Sequence, residues 1–262
     1  MNYLYFCNMN KLLLSIFPGI DMLGMGFEQH GFCVVRSPDL ITGGDIRNFT
    51  PPSGVFDGVF GGPPCQDFSA LNRNPTGYGL EMLKEFCRVV ASAKPLWFLC
   101  ENVARFPSFE IEGYTQQRFE LDLAWFSEFS RCRHFIFGSQ SGKLLNPIKK
   151  NKRNVSGGAV TGNDSRSFSA CCEIQGFSKK IDLPFFSLSG KKQAVANGVP
   201  LQLSNYIAKL ILKDYYGDKI NNIPDKKNVR RCVCGCGRIV YGRAKYHNAA
   251  CRKRAQRQRA KL

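Results

Sequence analysis

The 262-residue chain reads as an α/β protein built on an open, mostly parallel sheet, with a small cysteine-rich module at its C-terminal end. Three observations carry that reading. Between residues 11 and 137, short apolar runs alternate with segments of helical periodicity, the pattern of parallel strands joined by crossover helices. The apolar run 55–60, interrupted by Asp57 and Gly58, ends in Gly61-Gly62-Pro63-Pro64-Cys65-Gln66-Asp67-Phe68-Ser69. Two glycines and two prolines fix a tight turn there and present one cysteine at the carboxyl end of a strand, where open sheets place their chemistry. The charge is also lopsided. Of 37 Lys and Arg, 13 lie at or beyond Lys226 and no acid does, so +13 of the net +17 sits in the last stretch and +4 in the body.

The elements follow in order. Residues 12–17 form a first strand, Pro18-Gly19-Ile20-Asp21 a turn, and 22–29 a helix. A second strand covers 33–35, with Asp39 just past it and Gly44-Asp45-Ile46 beyond. After the Cys65 turn, Met82, Leu83, Phe86 and Val90 repeat at three- and four-residue spacing and predict a helix over 79–93. The apolar run 96–100 leads directly into Glu101-Asn102-Val103, and Arg131-Cys132-Arg133 precedes a strand over 134–137. Residues 138–170 turn Gly-, Ser- and Asn-rich, with Lys149, Lys150, Lys152 and Arg153 clustered, and read as a loop or minimal insert. Gln193 to Pro200 opens a helix, and Ile207, Leu210, Ile211 and Tyr215 share one side of a further helical stretch over 204–216. The resulting division is a body over 1–216, a polar linker over 217–230 and a basic module over 231–262.

With 44% hydrophobic residues the chain is globular. No apolar run nears the ~18 residues of a membrane span, and 12–17 is too short for a secretory signal; Met9 is an alternative start. Twelve cysteines suggest disulfides, yet the eight in the body form no regular framework, and a catalytic thiol needs a reducing compartment. The expectation is a cytoplasmic, monomeric protein. A thiolate at Cys65 would be a strong nucleophile; the plainer reading is a buried core cysteine.

The last module has its own chemistry. Cys232, Cys234, Cys236, His247 and Cys251 supply five soft ligands in twenty residues, and both Cys232-x3-Cys236 and His247-x3-Cys251 match zinc spacing. Too few apolar residues lie here to form a core, so a metal would supply the folding energy. Which two of Cys232, Cys234 and Cys236 bind is open, and redox cysteines are the competing reading. Arg252, Lys253, Arg254, Arg257 and Arg259 then make a basic helix suited to phosphate contacts, so the partner expected is nucleic acid.

Six landmarks in order resemble the cytosine-5 DNA methyltransferases: the 12–29 strand-turn-helix, Asp39 with Asp45, Gly-Pro-Pro-Cys65-Gln-Asp-Phe-Ser, Glu101-Asn102-Val103, Arg131-Cys132-Arg133, and Gln193 to Pro200. The tail resembles short treble-clef-like zinc modules, with His247 in place of a cysteine. The family resemblance implies a Rossmann-like S-adenosylmethionine-dependent fold and methylation of cytosine C5 in DNA. Cys65 would add to C6, Glu101 would serve as the acid near N3, and Arg131 and Arg133, alternating on an extended segment, would hold the cytosine O2 and a neighbouring phosphate. Phe129 stands where the family's Gln usually precedes those arginines.

For the methyl donor, the resemblance implies close backbone approach at Phe17 and Gly19, ribose contact at Asp39, adenine contact at Asp45, and closure of the methionine end by Asn197 and Val199. Asp21 occupies a place where a second Gly often stands. A Gly-containing turn alone would also suit nicotinamide; Cys65 and Glu101 favour the methyl donor. The target base must be flipped or single-stranded. The segment that reads sequence is short, about 32 residues between Gly138 and Cys171, so specificity is compact, relaxed or shared with the tail. A tRNA cytosine-5 methyltransferase and a catalytically silent DNA-binding regulator are the alternatives.

Overall fold

The structure, a computed structural model, describes residues 11–69, 72–217, 229–231, 239–241, 252–253 and 256. The chain divides into two compact units, Met1–Asp218 and Lys219–Leu262.

The first unit is organised by a six-stranded sheet of order β2-β1-β3-β4-β6-β5. Its strands are β1 (Leu12–Ile16), β2 (Cys33–Arg36), β3 (Gly58–Gly61), β4 (Trp97–Asn102), β5 (Thr115–Asp122) and β6 (Cys132–Ser139). The first four run parallel, and β5 and β6 are antiparallel additions at one edge. The parallel reading therefore holds to β4 and not beyond it, because no crossover helix separates β4, β5 and β6. The order jumps from β2 back across β1 to β3, so the carboxyl ends of β1 and β3 open onto a crevice at the point where the connections change direction.

Alternate residues on each strand face opposite sides, and two apolar layers result. Leu13, Phe60, Trp97, Leu99, Phe135 and Phe137 pack with α1 (Met22–Glu28) and α5 (Leu201–Leu210) through Leu23, Phe27, Leu203 and Ile207. On the other side Leu14, Ile16, Val59, Phe98, Cys100 and Ile136 meet Met82, Leu83, Phe86 and Val90 of α2 (Tyr78–Ala93), the expected apolar face, together with Val89.

A third, smaller core joins Leu123 and Val160 to α3 (Phe168–Ile174) and α4 (Leu188–Asn197). It gives the insert more order than a bare loop. Arg153 and Ser156 donate backbone hydrogen bonds to the carbonyls of Ala124 and Glu128, and Gly157 forms a bridge with Phe129. The Phe129 side chain is partly buried and packs against this third core.

Gln193 to Pro200 also differs from expectation. It closes α4 and, after Gly198, leads into α5, so the segment is a junction between two helices and not the start of one. No helix among the described residues is long and apolar enough to cross a membrane.

In the second unit Val229–Arg231 and Ile239–Tyr241 pair as antiparallel strands. The zinc-ligand candidates Cys232, Cys234, Cys236, His247 and Cys251 lie outside the described residues.

Candidate active site

The site is built where β1, β3 and β4 end. The β1–α1 turn has three left-handed residues in five: Phe17 (φ 54°), Gly19 (φ 54°) and Asp21 (φ 56°). Only glycine adopts this backbone freely, and Phe17 in it costs roughly 1–2 kcal/mol. The turn is held by Asp21, whose carboxylate accepts from the Ser15 hydroxyl (2.8 Å) and the Gly24 amide (3.0 Å). Arg36 Nε lies 2.7 Å from the second oxygen, an ion pair without the angle of a directed hydrogen bond. Burial pushes the Asp21 carboxyl up to about 6. The residue standing where a glycine was expected is thus the brace of the turn.

Asp39 accepts from the amides of Gly19 (3.0 Å) and Ile41 (2.9 Å), linking the end of β2 to the same turn. Asp45 caps a 3-10 turn and is engaged by Arg47, through its amide (2.9 Å) and its guanidinium. Those bonds hold the Asp45 carboxyl below the usual range.

Beyond β3, Gly62-Pro63-Pro64 carries the chain to Cys65, whose residue opens a 3-10 turn over Gln66–Phe68. Three contacts hold this loop. Asn102, at the end of β4, donates to the Pro63 carbonyl (2.9 Å) while accepting from the Val103 amide (2.9 Å). Asp67 accepts from the amides of Thr76 (3.0 Å) and Gly79 (2.8 Å), tying the loop to the first turn of α2. Gly62 lets Glu101 approach, since a Cβ there would stand 2.6 Å from Glu101 Oε2. Neither Asn102, Asp67 nor Gly62 was singled out as a site residue from sequence.

Glu101 is buried, at 8% exposure, and pairs with Arg133 Nε at 2.8 Å. Burial raises its pKa against the opposing charges of Arg133 and Arg131. The Cys65 thiol is also pushed up, first by burial and then by the Glu101 charge, while Arg133 and Arg131 act the other way. The Glu101 charge therefore bears directly on ionisation of the Cys65 thiol. A proton held by Glu101 makes the thiolate easier to form, and a thiolate makes the carboxylic acid easier to keep.

A cavity of about 240 Å³ gathers Phe17, Gly19, Asp39, Asp45, Cys65, Glu101, Arg133 and Asn197. Val199 lines a smaller adjoining one of about 60 Å³, beside Ser15, Asp21 and Glu101. Arg131 lines neither cavity. It is buried, and its guanidinium donates to the carbonyls of Val160 (3.1 Å), Ala196 and Gly198 (3.3 Å). Gln175, also missed from sequence, donates to the Gly198 carbonyl (3.1 Å) and to that of Val195. Burial and the Arg133 charge pull Arg131 down only to about 9, so it stays cationic near neutral pH.

This bonding gives a direct test. Arg131→Met leaves buried carbonyls without donors, each costing about 1–3 kcal/mol, and should lower the melting temperature. Arg133→Met should cost activity and lower the melting temperature less, because the buried Glu101 that loses its ion-pair partner can take up a proton. Equal melting temperatures for both variants would contradict this division.

The C-5 cytosine-specific DNA methylase model matches residues 40–121, a span holding both Cys65 and Glu101. The chain is 28% identical over 163 residues to the type II methyltransferase M.HgiDI of Herpetosiphon aurantiacus, which covers 50% of this chain and 53% of that relative. It is 31% identical over 114 residues to M.HgiGI of the same organism, covering 35% of this chain and 90% of that relative. The chain thus spans about half the length of the first of these relatives. In fold it resembles the Entamoeba histolytica methyltransferase EhMeth, with a TM-score of 0.59 at 11% identity over 79% of this chain and 99% of that one. The matched span runs through the cysteine loop, α2 and β4, so the stretch that carries Cys65 and Glu101 is the stretch held in common. The chain belongs to the C-5 cytosine-specific DNA methylase family.

Proposed function

We propose that the protein transfers a methyl group from S-adenosylmethionine to C5 of a cytosine in DNA. The observation that carries this reading is the set of Cys65, Glu101 and Arg133 in one cavity, with thiol and carboxyl electrostatically coupled. Cytosine C5 is a weak nucleophile. Addition of the Cys65 thiolate to C6 gives C5 enamine character, and a proton from Glu101 at N3 neutralises the charge that gathers on the ring. Arg133, held by its ion pair, orients Glu101. Arg131 is a positioning residue that fixes the α4–α5 junction on which Asn197 and Val199 sit.

The cavity suits the methyl donor by its donor set and walls. Phe17, Ile41, Ile46 and Met82 offer apolar surface, and each Asp39 oxygen that accepts one amide keeps a further acceptor site. When bound, S-adenosylmethionine supplies an electrophilic methyl on a sulfonium centre. Phe17, Gly19, Asp39 and Asp45 would hold its nucleoside, and Asn197 and Val199 its methionine end. Among the described residues, Cys33, Cys65, Cys87, Cys100, Cys132, Cys171 and Cys172 are free, in keeping with a reducing, cytoplasmic setting. Methyl incorporation into matched duplex DNA and tRNA is the test. Incorporation into tRNA alone would replace the DNA reading with the RNA one.

The basic tail is proposed as a zinc-held DNA-contact module that supplements the short insert. A chain truncated after about Lys227 should keep its affinity for the methyl donor, bind DNA more weakly, and lose affinity less steeply with salt. Each phosphate contact removed takes about 0.9 from the log–log slope. Full-length protein should hold about one zinc in this module, and chelation should mimic truncation. An unchanged salt slope on truncation would remove the tail from the DNA interface.

A further inference from the structure

On the face of the β5–β6 ribbon away from the Glu101–Arg133 pair, Glu120, Cys132 and His134 come together. Glu120 stands directly opposite His134 in the antiparallel register, and Cys132 is two residues before His134 on the same strand. Period-two alternation therefore turns all three side chains to one side. Their ligand atoms lie within 4.8 Å of one another, with Cys132 Sγ 4.0 Å from Glu120 Oε2. Glu120 and Cys132 are exposed and His134 is half-buried, so solvent reaches the group.

We propose that this triad is a surface site for a borderline-soft divalent cation, Zn²⁺ by preference, separate from the ligands of the tail. The donor set decides the class of ion. One thiolate sulfur, one imidazole nitrogen and one carboxylate oxygen suit zinc, whereas magnesium and calcium take oxygen alone. In a tetrahedral zinc site, bond lengths of about 2.0–2.3 Å put neighbouring ligand atoms about 3.3–3.8 Å apart. The triad is about one ångström wider, a contraction that exposed side chains can make by small rotations.

Asp122, opposite Cys132, completes no coordination sphere. Its carboxylate already accepts from the amides of Ala124 and Arg131 and pairs with Lys152 at 2.8 Å. Three protein ligands remain, and the fourth position goes to solvent. On binding, the Cys132 thiol gives its proton to solvent as the sulfur–zinc bond forms, Glu120 binds as carboxylate, and His134 binds as neutral imidazole. The ion then pins the first residues of β6 to β5, in the strand that presents Arg133 to the cavity from its opposite face.

The test uses the full chain and Zn²⁺ itself, reading alkylation of individual cysteines by iodoacetamide with peptide mass spectrometry. This readout is specific to Cys132, whatever the tail binds. Zn²⁺ at about ten times its dissociation constant should slow alkylation of Cys132 about tenfold. Cys33, also exposed, should react at an unchanged rate. His134→Gln should abolish the protection, and Glu120→Gln, at an exposed position, should weaken it. Cys132 reacting equally fast with and without Zn²⁺, or protection undiminished in both variants, would overturn the site.

Discussion

Cys65→Ser should abolish methylation while leaving affinity for the methyl donor within about twofold of the parent. A serine hydroxyl is far less acidic than a thiol, and the cavity that burdens Cys65 with burial and a nearby carboxylate would oppose an alkoxide still more. Without addition at C6, C5 is never activated, so turnover should fall to background. The donor contacts proposed for Phe17, Gly19, Asp39 and Asp45 lie on other loops and should survive. Thermal stability should change little, because Cys65 contributes to none of the three apolar cores. Methyl-donor binding by calorimetry and methyl incorporation into DNA, measured on one preparation, separate the two effects. Full activity in the serine variant would remove the nucleophile from the mechanism.

The second large effect is expected at Glu101. Glu101→Gln keeps the shape but gives no acid proton, and turnover should fall by about 10²–10⁴-fold with little change in DNA affinity. The pH profile should change as well. In the parent, both pKa values are raised, that of Glu101 from the carboxylate range and that of Cys65 from the thiol range. Below the Glu101 value both groups hold protons and the thiol cannot attack. Above the Cys65 value both have lost them and no acid remains. The parent profile of kcat/KM should therefore be bell-shaped between the two, with the working form, thiolate beside carboxylic acid, a minor tautomer of the plateau. In Glu101→Gln the upper limb should vanish, leaving a low rate that rises with pH as the thiol ionises. That rise should come at lower pH than the free parent thiol would give, because the charge of Glu101 is gone. A bell retained in the Gln variant would assign the acid to another residue.

Much of this site was legible because its chemistry sits in local punctuation. Gly-Gly-Pro-Pro before Cys65 forces a turn at a strand end, and Glu101 follows an apolar run with no gap. The β1–α1 turn was legible for the same reason. β5 was not, since in Thr-Gln-Gln-Arg-Phe-Glu-Leu-Asp only Phe119 and Leu121 are apolar, and an edge strand with one wet face leaves so faint a pattern. Without β5, the antiparallel pairing of β6 was not legible either.

The two arginines mark the other limit. Alternation suggests that Arg131 and Arg133 share a side but says nothing of what each meets: only Arg133 lines the cavity. The Arg131 partners lie 29, 65 and 67 residues away, on the insert and the α4–α5 junction. Arg133 meets Glu101 across β4 and β6. Local spacing reports neither distance. The roles of Gln175 and Asn102 were no more legible, as amides whose importance lies in the carbonyls of Gly198 and Pro63 that they hold.

Covalent capture on a fluorinated base shows whether Cys65 adds to the ring. Duplex DNA carrying 5-fluorocytosine, incubated with the protein and S-adenosylmethionine, blocks release because fluorine cannot leave C5 as a proton does. The expected result is a denaturation-resistant protein–DNA adduct, dependent on the methyl donor, with the nucleotide mapped by mass spectrometry to Cys65 and absent in Cys65→Ser. An adduct on another cysteine, or none with DNA that the protein demonstrably methylates in its unfluorinated form, would contradict it.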